Sequence, residues 1–596
     1  MGDDVRSATG EPRRVVRVLP DVPAIDKTFD YLVPEQLGDQ VRVGTMVRVE
    51  LHGRRVGAWV VADGVEPPPG VALRPIAKVT GWGPPEPLID LARWAAWRWC
   101  GRTASFLGTA SPDHAVPGLP RPTRSGGGPA VVVSPVPDDH DELIRLAFTR
   151  DRSVLRLPPA ADSYPVALAA ARLGNALVLA PSVSAARHLG LRLRRAGVDV
   201  AILPREWAAA RVGSVCVGSR AAAWAPMADV AAVVVLDEHD EVYQEERAPT
   251  WHARDVVIER ARRAGVPCVL VSPTPSLEAI QWADGALLTP SRATEREGWP
   301  IVDLVDRRRE EPGRAGLYSE RFVKAMREAP GTVVCVLNRK GRSRLLACAR
   351  CGEATRCEHC SSSMAQSDDG RLVCRSCGTA RPVVCQACGA TTLKNLRVGV
   401  TRAREELEAL AREPVVEVTG DTSAQSLPPA RIYVGTEAVL HQVPSAALVA
   451  FLDIDQELLA PRYRAAEQAM ALLVRGARLT GDGRRGDGRL LVQTRLPHHE
   501  VLQAALLADP GRAADAEWER RRFLRFPPVT ALAAVGSVAA PAFIDALGHP
   551  AGVEVMGPSD DRWLVRAPDH RILCDALAAV TRPPGRLRVE VDPLRI

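Results

Sequence analysis

The chain has 596 residues, of which 46% are hydrophobic and 25% charged, and its formal net charge is +6 at pH 7. This length exceeds what one hydrophobic core supports, so several domains are expected, and the composition excludes a disordered or fibrous protein. No apolar run reaches the roughly 18 residues of a membrane span, and the first residues lack the apolar stretch of a signal peptide. Thirteen cysteines in such a chain predict a reducing cytoplasm, where closely spaced thiols hold metal.

Residues 14–80 predict a small β-barrel-like module, because VVRVLP, TFDYLVP, MVRVEL and GAWVVA are strand formers separated by Gly and Pro. Residues 87–108 have helical periodicity and interleave tryptophans with arginines. These are Trp94, Trp97, Trp99, Arg93, Arg98 and Arg102. Such side chains can stack on nucleic acid, or the helix is buried against its neighbours. The Pro/Gly-rich stretch 117–140 predicts a linker or domain edge.

From about residue 150 to 290, short apolar strand patterns alternate with helical patterns, which predicts a parallel sheet covered by helices. A second α/β region begins near residue 301, is interrupted by a cysteine-rich stretch and resumes near 395. Residues 496–596 predict helices followed by three strands, a small α+β domain. The predicted fold class is therefore multidomain α/β.

Four Cys-x-x-Cys knuckles lie between residues 348 and 388. They are Cys348/Cys351, Cys357/Cys360, Cys374/Cys377 and Cys385/Cys388. Each places two thiolates on one turn, a spacing suited to sharing one tetrahedral Zn²⁺. Eight thiolates make two Cys-only sites without an open coordination position, so two structural zinc ions are predicted. Spacing alone leaves the three possible pairings of the knuckles open.

Several further motifs together resemble the PriA family of primosomal replication-restart proteins, which are relatives of superfamily 2 helicases. The matching residues are VVVLDEHDEVYQEE with the following WHARD, VSPTPSLEA, LNRKG directly before the first knuckle, FLDID and the late FPP. The position of the knuckles after LNRKG is the most specific part, since ordinary helicases lack that insertion.

The resemblance runs essentially end to end and implies two RecA-like lobes with additional domains. The implied segments are a 3′-end DNA-binding domain (1–85), a winged helix (86–118), a linker (119–140), a first lobe (141–300), a second lobe (301–346 and 393–495), a zinc module (347–392) and a C-terminal domain (496–596). It also implies a nested grouping of the knuckles. Cys348, Cys351, Cys385 and Cys388 would hold one zinc ion, and Cys357, Cys360, Cys374 and Cys377 the other.

For DNA, the resemblance implies a pocket that binds the 3′ end of a nascent strand at Phe29, Asp30, Gly53 and Arg74. An aspartate there can accept a hydrogen bond from a 3′-hydroxyl, and the phenylalanine offers a stacking face; the family usually has Lys where Arg74 stands. The basic run Arg339, Lys340 and Arg342 beside the zinc module suits phosphate contacts, or it is a solvated loop.

The nucleotide motifs depart from the family. A phosphate-binding loop needs glycines, a lysine and a Ser/Thr, but residues 158–165 read PPAADSYP and no lysine occurs from 79 to 323. Asp237 and Glu238 stand as a vestigial acidic pair, and the family's arginine motif Q-x-x-G-R-A-G-R has decayed at 474–481. ATP binding is therefore doubtful, and the pattern matches an actinobacterial-type branch without a working motor.

The predicted function is a cytoplasmic, nucleoid-associated replication-restart protein that recognises stalled forks and D-loops and organises helicase reloading without being a helicase. Its implied partners are forked DNA with nascent 3′ ends, primosome proteins, the replicative helicase with its loader, and single-stranded DNA-binding protein; no membrane is involved. One alternative is an active ATP-dependent 3′-to-5′ helicase with an unconventional nucleotide site. Another is a zinc-ribbon protein that binds only other proteins.

Overall fold

The computed structural model describes residues 14–22, 25–66, 71–121, 139–309, 316–337, 346–359, 362–367, 370–374, 377–395, 400–420, 427–481, 488–559 and 561–596. Within these ranges, no helix is both long and apolar enough to cross a membrane. The architecture is multidomain α/β: an antiparallel N-terminal sheet, two parallel sheets with helices, a cysteine-rich insertion and an antiparallel C-terminal sheet.

The N-terminal domain is a five-stranded antiparallel sheet in the order β2-β1-β4-β3-β5. Its strands are β1 (Val15–Pro20), β2 (Phe29–Leu32), β3 (Thr45–Leu51), β4 (Arg54–Asp63) and β5 (Lys78–Trp82), with a 3-10 helix at Glu35–Leu37. Side chains of β3 alternate between buried and exposed, as in a sheet with one face on a core. The amide of Leu32 donates a hydrogen bond to the carbonyl of Arg74, and the amide of Ala77 donates one to the carbonyl of Arg48. These bonds place residues 74–77 between β2 and β3, which curves the sheet towards a barrel.

Two helices, α1 (Glu86–Arg98) and α2 (Thr103–Ala110), follow this sheet. Trp99 is buried, and its ring packs against that of Phe106 with 6.3 Å between the centroids. Phe106 packs in turn against Trp224 of the next domain, with 5.5 Å between the centroids. Trp97 donates from Nε1 to Asp575 of the C-terminal domain at 2.9 Å. The tryptophans thus pack between domains, the second of the two possibilities left open by the sequence. Of the winged helix expected at 86–118, the described residues form these two helices and no strand.

The first lobe is a seven-stranded, all-parallel sheet in the order β12-β6-β11-β10-β7-β9-β8. Its strands are β6 (Arg152–Arg156), β7 (Ala176–Leu179), β8 (Val200–Ile202), β9 (Val215–Gly218), β10 (Ala232–Leu236), β11 (Cys268–Ser272) and β12 (Leu287–Leu288). Its helices are α3 (Asp139–Ala147), α4 (Tyr164–Arg172), α5 (Val183–Arg195), α6 (Trp207–Val212), α7 (Ala253–Ala264), α8 (Leu277–Ala283) and α9 (Arg292–Glu297), with 3-10 helices at Arg220–Trp224 and Glu241–Tyr243. Because helices cover both faces, the central strands read as continuous apolar runs.

The second lobe is a six-stranded parallel sheet in the order β13-β23-β22-β14-β21-β20. Its strands are β13 (Ile301–Asp306), β14 (Val333–Val336), β20 (Val415–Val418), β21 (Ile432–Gly435), β22 (Leu448–Phe451) and β23 (Arg489–Thr494). Its helices are α10 (Glu320–Glu328), α11 (Val400–Ala411), α12 (Val439–Gln442), α13 (Asp455–Leu458) and α14 (Ala465–Thr480), with a 3-10 helix at Arg307–Arg309.

The cysteine-rich insertion lies between β14 and α11 and contains two small antiparallel sheets. They are built from β15 (Leu346–Cys348) with β19 (Leu393–Asn395), and from β16 (Met364–Gln366), β17 (Leu372–Cys374) and β18 (Ala380–Arg381). The pairing of β15 with β19 brings the two ends of the insertion together, so it interrupts the second lobe without separating its strands.

After the second lobe, α15 (Glu500–Leu506) and α16 (Pro510–Leu524) pack into that lobe's core. A separate four-stranded antiparallel sheet follows in the order β25-β26-β24-β27. It consists of β24 (Ala531–Gly536), β25 (Glu554–Ser559), β26 (Arg562–Ala567) and β27 (Arg588–Val591), with α17 (Ala540–Leu547) and α18 (His570–Ala579). Helices followed by strands are what the sequence predicts for 496–596, but α15 and α16 belong to the core of the second lobe and the sheet has four strands instead of three.

Candidate functional site

The predicted 3′-end pocket lies on the N-terminal sheet. Asp30 faces Arg17 across the β1–β2 pair, and Arg17 donates from Nε and Nη2 to the two carboxylate oxygens at 2.8 and 3.1 Å. The Asp30 side chain is 7% exposed, whereas that of Arg17 is 41% exposed. Each carboxylate oxygen has two acceptor positions, so Asp30 keeps one on each oxygen for a further donor.

The other predicted pocket residues have partners of their own. Arg74 is ion-paired with Glu50, and Phe29 packs on the core of the sheet. Gly53 has φ of +76° and follows His52, whose φ is +49°, so the two form the tight β3–β4 turn. Among the described residues of this sheet, no hydrogen bond or ion pair joins Asp30 to Arg74 or Gly53. Arg17 was not predicted as part of this site from the sequence. Its position opposite Asp30 in a β1–β2 hairpin could have indicated it.

The first cysteine group joins the outer knuckles. Cys348, Cys351, Cys385 and Cys388 have sulfur atoms within 4.8 Å of one another. The Sγ atoms of Cys348 and Cys388, and those of Cys351 and Cys385, are 3.5 Å apart. Tetrahedral zinc with bonds of about 2.3 Å holds its sulfur ligands about 3.8 Å apart. The four thiols therefore fit a Cys-only zinc site with no open position.

The second group joins the inner knuckles. Cys357, Cys374 and Cys377 lie together, with 3.5 Å between the sulfurs of Cys357 and Cys377. Cys360, the expected fourth ligand, lies outside the described residues. This arrangement is the nested grouping that the family resemblance implies.

Three of the knuckles share one turn. A glycine follows the second cysteine in each, and its amide donates to the carbonyl of the first cysteine at 2.9–3.0 Å. These glycines are Gly352, Gly378 and Gly389, with φ between +73° and +76°. Glycine adopts this left-handed backbone without strain, so the turn holds both sulfurs on the same side.

The loop between β6 and α4 is where a nucleotide phosphate would be expected. Pro158 packs so closely on Gly298 that a Cβ there would lie 2.2 Å from the proline Cβ. Asp162 accepts from the amide of Tyr164 at 2.9 Å and from Arg192 at 3.0 and 2.5 Å. Burial would raise the pKa of Asp162, but the hydrogen bonds from Arg192 lower it. A carboxylate thus occupies the start of the helix, where a phosphate would otherwise bind.

Asp237, at the end of β10, is held by an arginine from the opposite lobe. Arg478 of α14 donates to its two oxygens at 2.8 and 2.7 Å and also to the carbonyl of Pro159 at 3.1 Å. Burial alone would raise the pKa of Asp237, but the charge of Arg478 lowers it to about 2. The carboxylate that would hold Mg²⁺ in a working motor is therefore neutralised by a protein cation.

Glu238 is also fully engaged. Its oxygens accept from the amide and hydroxyl of Ser276 at 2.7 and 2.9 Å and from Arg254 at 3.2 Å. Burial raises the pKa of Glu238 above the ordinary glutamate value. This side chain is tied into the lobe core.

Further ion pairs join the two lobes. Arg475 of α14 bridges Asp240 of the first lobe and Glu437 of the second at 2.6 and 2.7 Å. Arg464 donates hydrogen bonds to both carboxylate oxygens of Glu278 in α8, and the bond from Nη1 to Oε2 is 3.0 Å long. Residues 474–481 look like a decayed motif in the sequence, but two of their arginines, Arg475 and Arg478, form ion pairs across the cleft.

The predicted basic run of Arg339, Lys340 and Arg342 lies outside the described residues. A further arginine-rich stretch, residues 520–525, covers the end of α16 and its C-cap. Arg521 there is 1% exposed and Arg522 is 66% exposed, so this run is only partly a solvated helix face.

Comparison with known proteins supports the family resemblance. Residues 17–112 match the 3′ DNA-binding domain (3′BD) of PriA. The probable replication restart protein PriA of Mycobacterium tuberculosis is 28% identical over 618 residues, which cover 95% of this chain and 90% of that protein. The chain resembles PriA over nearly its whole length. The PriA match for the 3′ DNA-binding domain extends past the expected boundary at residue 85 and includes α1 and α2.

The PriA of Bacillus subtilis is 30% identical over 397 residues, which cover 61% of this chain. The chain spans about half the length of that relative, 49%, and 52% of the Thermotoga maritima PriA. Among solved structures, yeast Dbp5 bound to RNA and ADP BeF3 aligns at 11% identity and a TM-score of 0.36, covering 63% of this chain and 89% of that one.

Proposed function

We propose that this protein is a replication-restart factor that recognises stalled or abandoned forks and D-loops and organises reloading of the replicative helicase, without helicase activity. The proposal that the protein has no motor activity rests on one observation. Arg478 forms a bidentate ion pair with Asp237 and also donates a hydrogen bond to the carbonyl of Pro159. The matched 3′ DNA-binding domain supports the DNA-binding part. The proposed partners are forked DNA, primosome proteins, the helicase and its loader, and single-stranded DNA-binding protein, in the cytoplasm at the nucleoid.

The cysteine groups support two structural zinc ions in this protein. Cys348, Cys351, Cys385 and Cys388 would hold the first ion, and Cys357, Cys360, Cys374 and Cys377 the second. A Cys-only site supplies folding energy and no chemistry, because it leaves no coordination position for water or substrate. Zinc would therefore stiffen the insertion that interrupts the second lobe.

Nucleotide binding tests the motor directly. Titration of ATP or ADP into zinc-replete protein is expected to give no saturable heat, with or without forked DNA, because Asp162 and Arg478 fill the positions of phosphate and metal. The Asp237→Asn variant should bind forks as tightly as the wild-type protein, and neither protein should hydrolyse ATP. Micromolar ATP binding, or hydrolysis stimulated by forks and lost in Asp237→Asn, would establish the helicase alternative instead.

The 3′-end pocket gives a second test. Asp30→Ala is expected to weaken binding to a fork with a free 3′-hydroxyl by roughly 10- to 100-fold, since a hydrogen bond to a charged group is worth about 1.5–3 kcal/mol. Fluorescence anisotropy on forks ending in 3′-hydroxyl or 3′-phosphate would measure it. Glu35→Gln, an exposed change in the same domain, should retain the wild-type preference. Equal affinity of wild-type protein for both ends would contradict the pocket.

A further inference from the structure

The ion pair between Arg17 and Asp30 leaves part of each group unused. A guanidinium has five N–H groups, and Arg17 directs one from Nε and one from Nη2 at the Asp30 carboxylate. Both N–H groups of Nη1 and the second one of Nη2 therefore point away from Asp30, and no other residue of the described chain accepts from them. Because Asp30 also keeps open acceptor positions, free donors and free acceptors lie side by side at this pair.

Arg14 of the same domain shows how the fold uses up an arginine's donors. It pairs with Asp63 and also donates to the carbonyls of Gly38 and Val41 at 2.7 and 2.6 Å. Arg17 binds one carboxylate and no carbonyl of the described residues, although its side chain is 41% exposed. The packing of the N-terminal sheet therefore accounts for the donors of Arg14 but not for the free donors of Arg17.

A β-bulge lies beside this ion pair. In the pairing of β1 with β4 the register shifts between Arg17 and Val18, which leaves Val61 without a partner on β1. A bulge bends its strand and is common where a side chain is re-aimed at a ligand. The pairing of β1 with β2 has no such shift, so Arg17 stays directly opposite Asp30. The bulge therefore shapes the surface next to the pair without separating its two members.

The two members of the pair are accessible to different chemical groups. The Asp30 carboxylate is almost buried, so only a small donor such as a hydroxyl can reach its free acceptor positions. The guanidinium of Arg17 is the more exposed of the two, so a larger anion can contact its free N–H groups. Phosphate suits it, because a planar guanidinium donates parallel hydrogen bonds to two phosphate oxygens. The pair can thus bind a hydroxyl and a phosphate at the same time.

The last nucleotide of a DNA strand carries both of these groups. Its sugar has a free 3′-hydroxyl, and its 5′ oxygen belongs to the phosphodiester that joins it to the preceding nucleotide. We propose that Arg17 binds this last phosphodiester through its free N–H groups while Asp30 accepts a hydrogen bond from the 3′-hydroxyl. This inference rests on the proposed recognition of 3′ ends and deepens it. Binding at two points would also fix the direction in which the strand leaves the site.

A neutral linkage in the DNA tests the role of Arg17. A methylphosphonate at the last linkage of the 3′ end removes the negative charge that the guanidinium would bind. Wild-type protein is expected to bind such a fork about 10- to 100-fold more weakly than the unmodified fork, the range for a hydrogen bond to a charged group. Fluorescence anisotropy measures the difference. The same methylphosphonate at the far end of the duplex is the DNA control and should leave the affinity unchanged.

Two variants separate phosphate binding from a structural role. Arg17→Gln removes the charge, whereas Arg17→Lys keeps a positive charge opposite Asp30 but replaces the planar fork with one ammonium group that the carboxylate occupies. Both variants are expected to bind the neutral and the unmodified forks equally. Arg17→Lys should still prefer a 3′-hydroxyl end to a 3′-hydrogen end. An undiminished effect of the neutral linkage in both variants would overturn the proposal, because Arg17 would then serve only to hold Asp30.

The matched protein control is Arg152→Gln. Arg152 is exposed to a similar degree and pairs with Asp284 of the first lobe at 2.7 Å, so this variant should show the full effect of the neutral linkage. Wild-type protein that prefers a 3′-hydroxyl end but is indifferent to the last linkage would overturn the role of Arg17 and leave 3′-end recognition standing. Wild-type protein that binds forks without any preference for a 3′-hydroxyl would remove both.

Discussion

Replacing Cys348 and Cys385 together with serine is expected to release one of two zinc ions, not both. The two residues belong to different knuckles but to the same sulfur group, so the second site keeps all its ligands. If neighbouring knuckles in the sequence shared an ion instead, the double variant would damage both sites. Zinc content of purified protein, measured by atomic emission, distinguishes the two groupings.

The loss of one ion should have a large effect on the insertion. Structural zinc contributes on the order of 10–16 kcal/mol of apparent binding energy at neutral pH. The double variant should therefore expose residues 346–395 to limited proteolysis, while the parallel sheets of the lobes stay resistant. Cys100→Ser is the control, because Cys100 lies outside both groups and is only partly buried. Two zinc ions retained in the double variant would contradict the site.

Arg521→Ala is expected to destabilise the protein strongly, although the residue sits in a run of arginines. Its guanidinium donates to Glu517 at 2.9 Å, lies 3.5 Å from Glu278 of the first lobe and also binds Glu467. Removing one partner of a buried ion pair costs about 3–5 kcal/mol, because the remaining charges are left uncompensated in a medium of low polarity. A lower melting temperature and earlier urea unfolding would measure the loss.

The adjacent residue provides the control. Arg522→Ala removes the same side chain one position along α16, but Arg522 is exposed and its partner Glu519 is 3.6 Å away at the surface. Such a change is expected to stay within about 0.5 kcal/mol of wild type. Equal effects of the two substitutions would show that Arg521 does not tie the lobes together.

Ion pairs between distant parts of the chain join the two lobes across the cleft. Glu278 of α8 is contacted by Arg464 and Arg521 from beyond the zinc insertion, and Asp237 is contacted by Arg478. A nucleotide-driven motor needs its lobes to separate and close, and a cleft filled by ion pairs opposes that movement. The proposed DNA-binding role needs no such movement and is compatible with these contacts.

Much of the fold could be predicted locally. The apolar runs VLRL, ALVL and AVVVL became β6, β7 and β10, because strands buried on both faces need apolar side chains throughout. The cysteine knuckles were predictable because a metal turn is closed by four consecutive residues. The absence of a lysine between 79 and 323 already excluded an ordinary phosphate-binding loop.

Other features depended on contacts that no local pattern contains. The sequence presents Arg520, Arg521 and Arg522 as equivalent, and only the packing of α16 on the second lobe, with the contact to Glu278 of the first, decides which of them is buried. It presents Arg478 as the remnant of a motif, and only the closed cleft pairs it with Asp237. Arg42 and Arg211 both pack on the ring of Trp82 although they lie 169 positions apart along the chain, so their meeting is set by how two domains pack. The local sequence therefore determined the strands, the cysteine knuckles and the absence of a phosphate-binding loop. Which acidic residue each arginine pairs with was decided by the tertiary structure, because an ion pair depends on distance in space and not on distance along the chain.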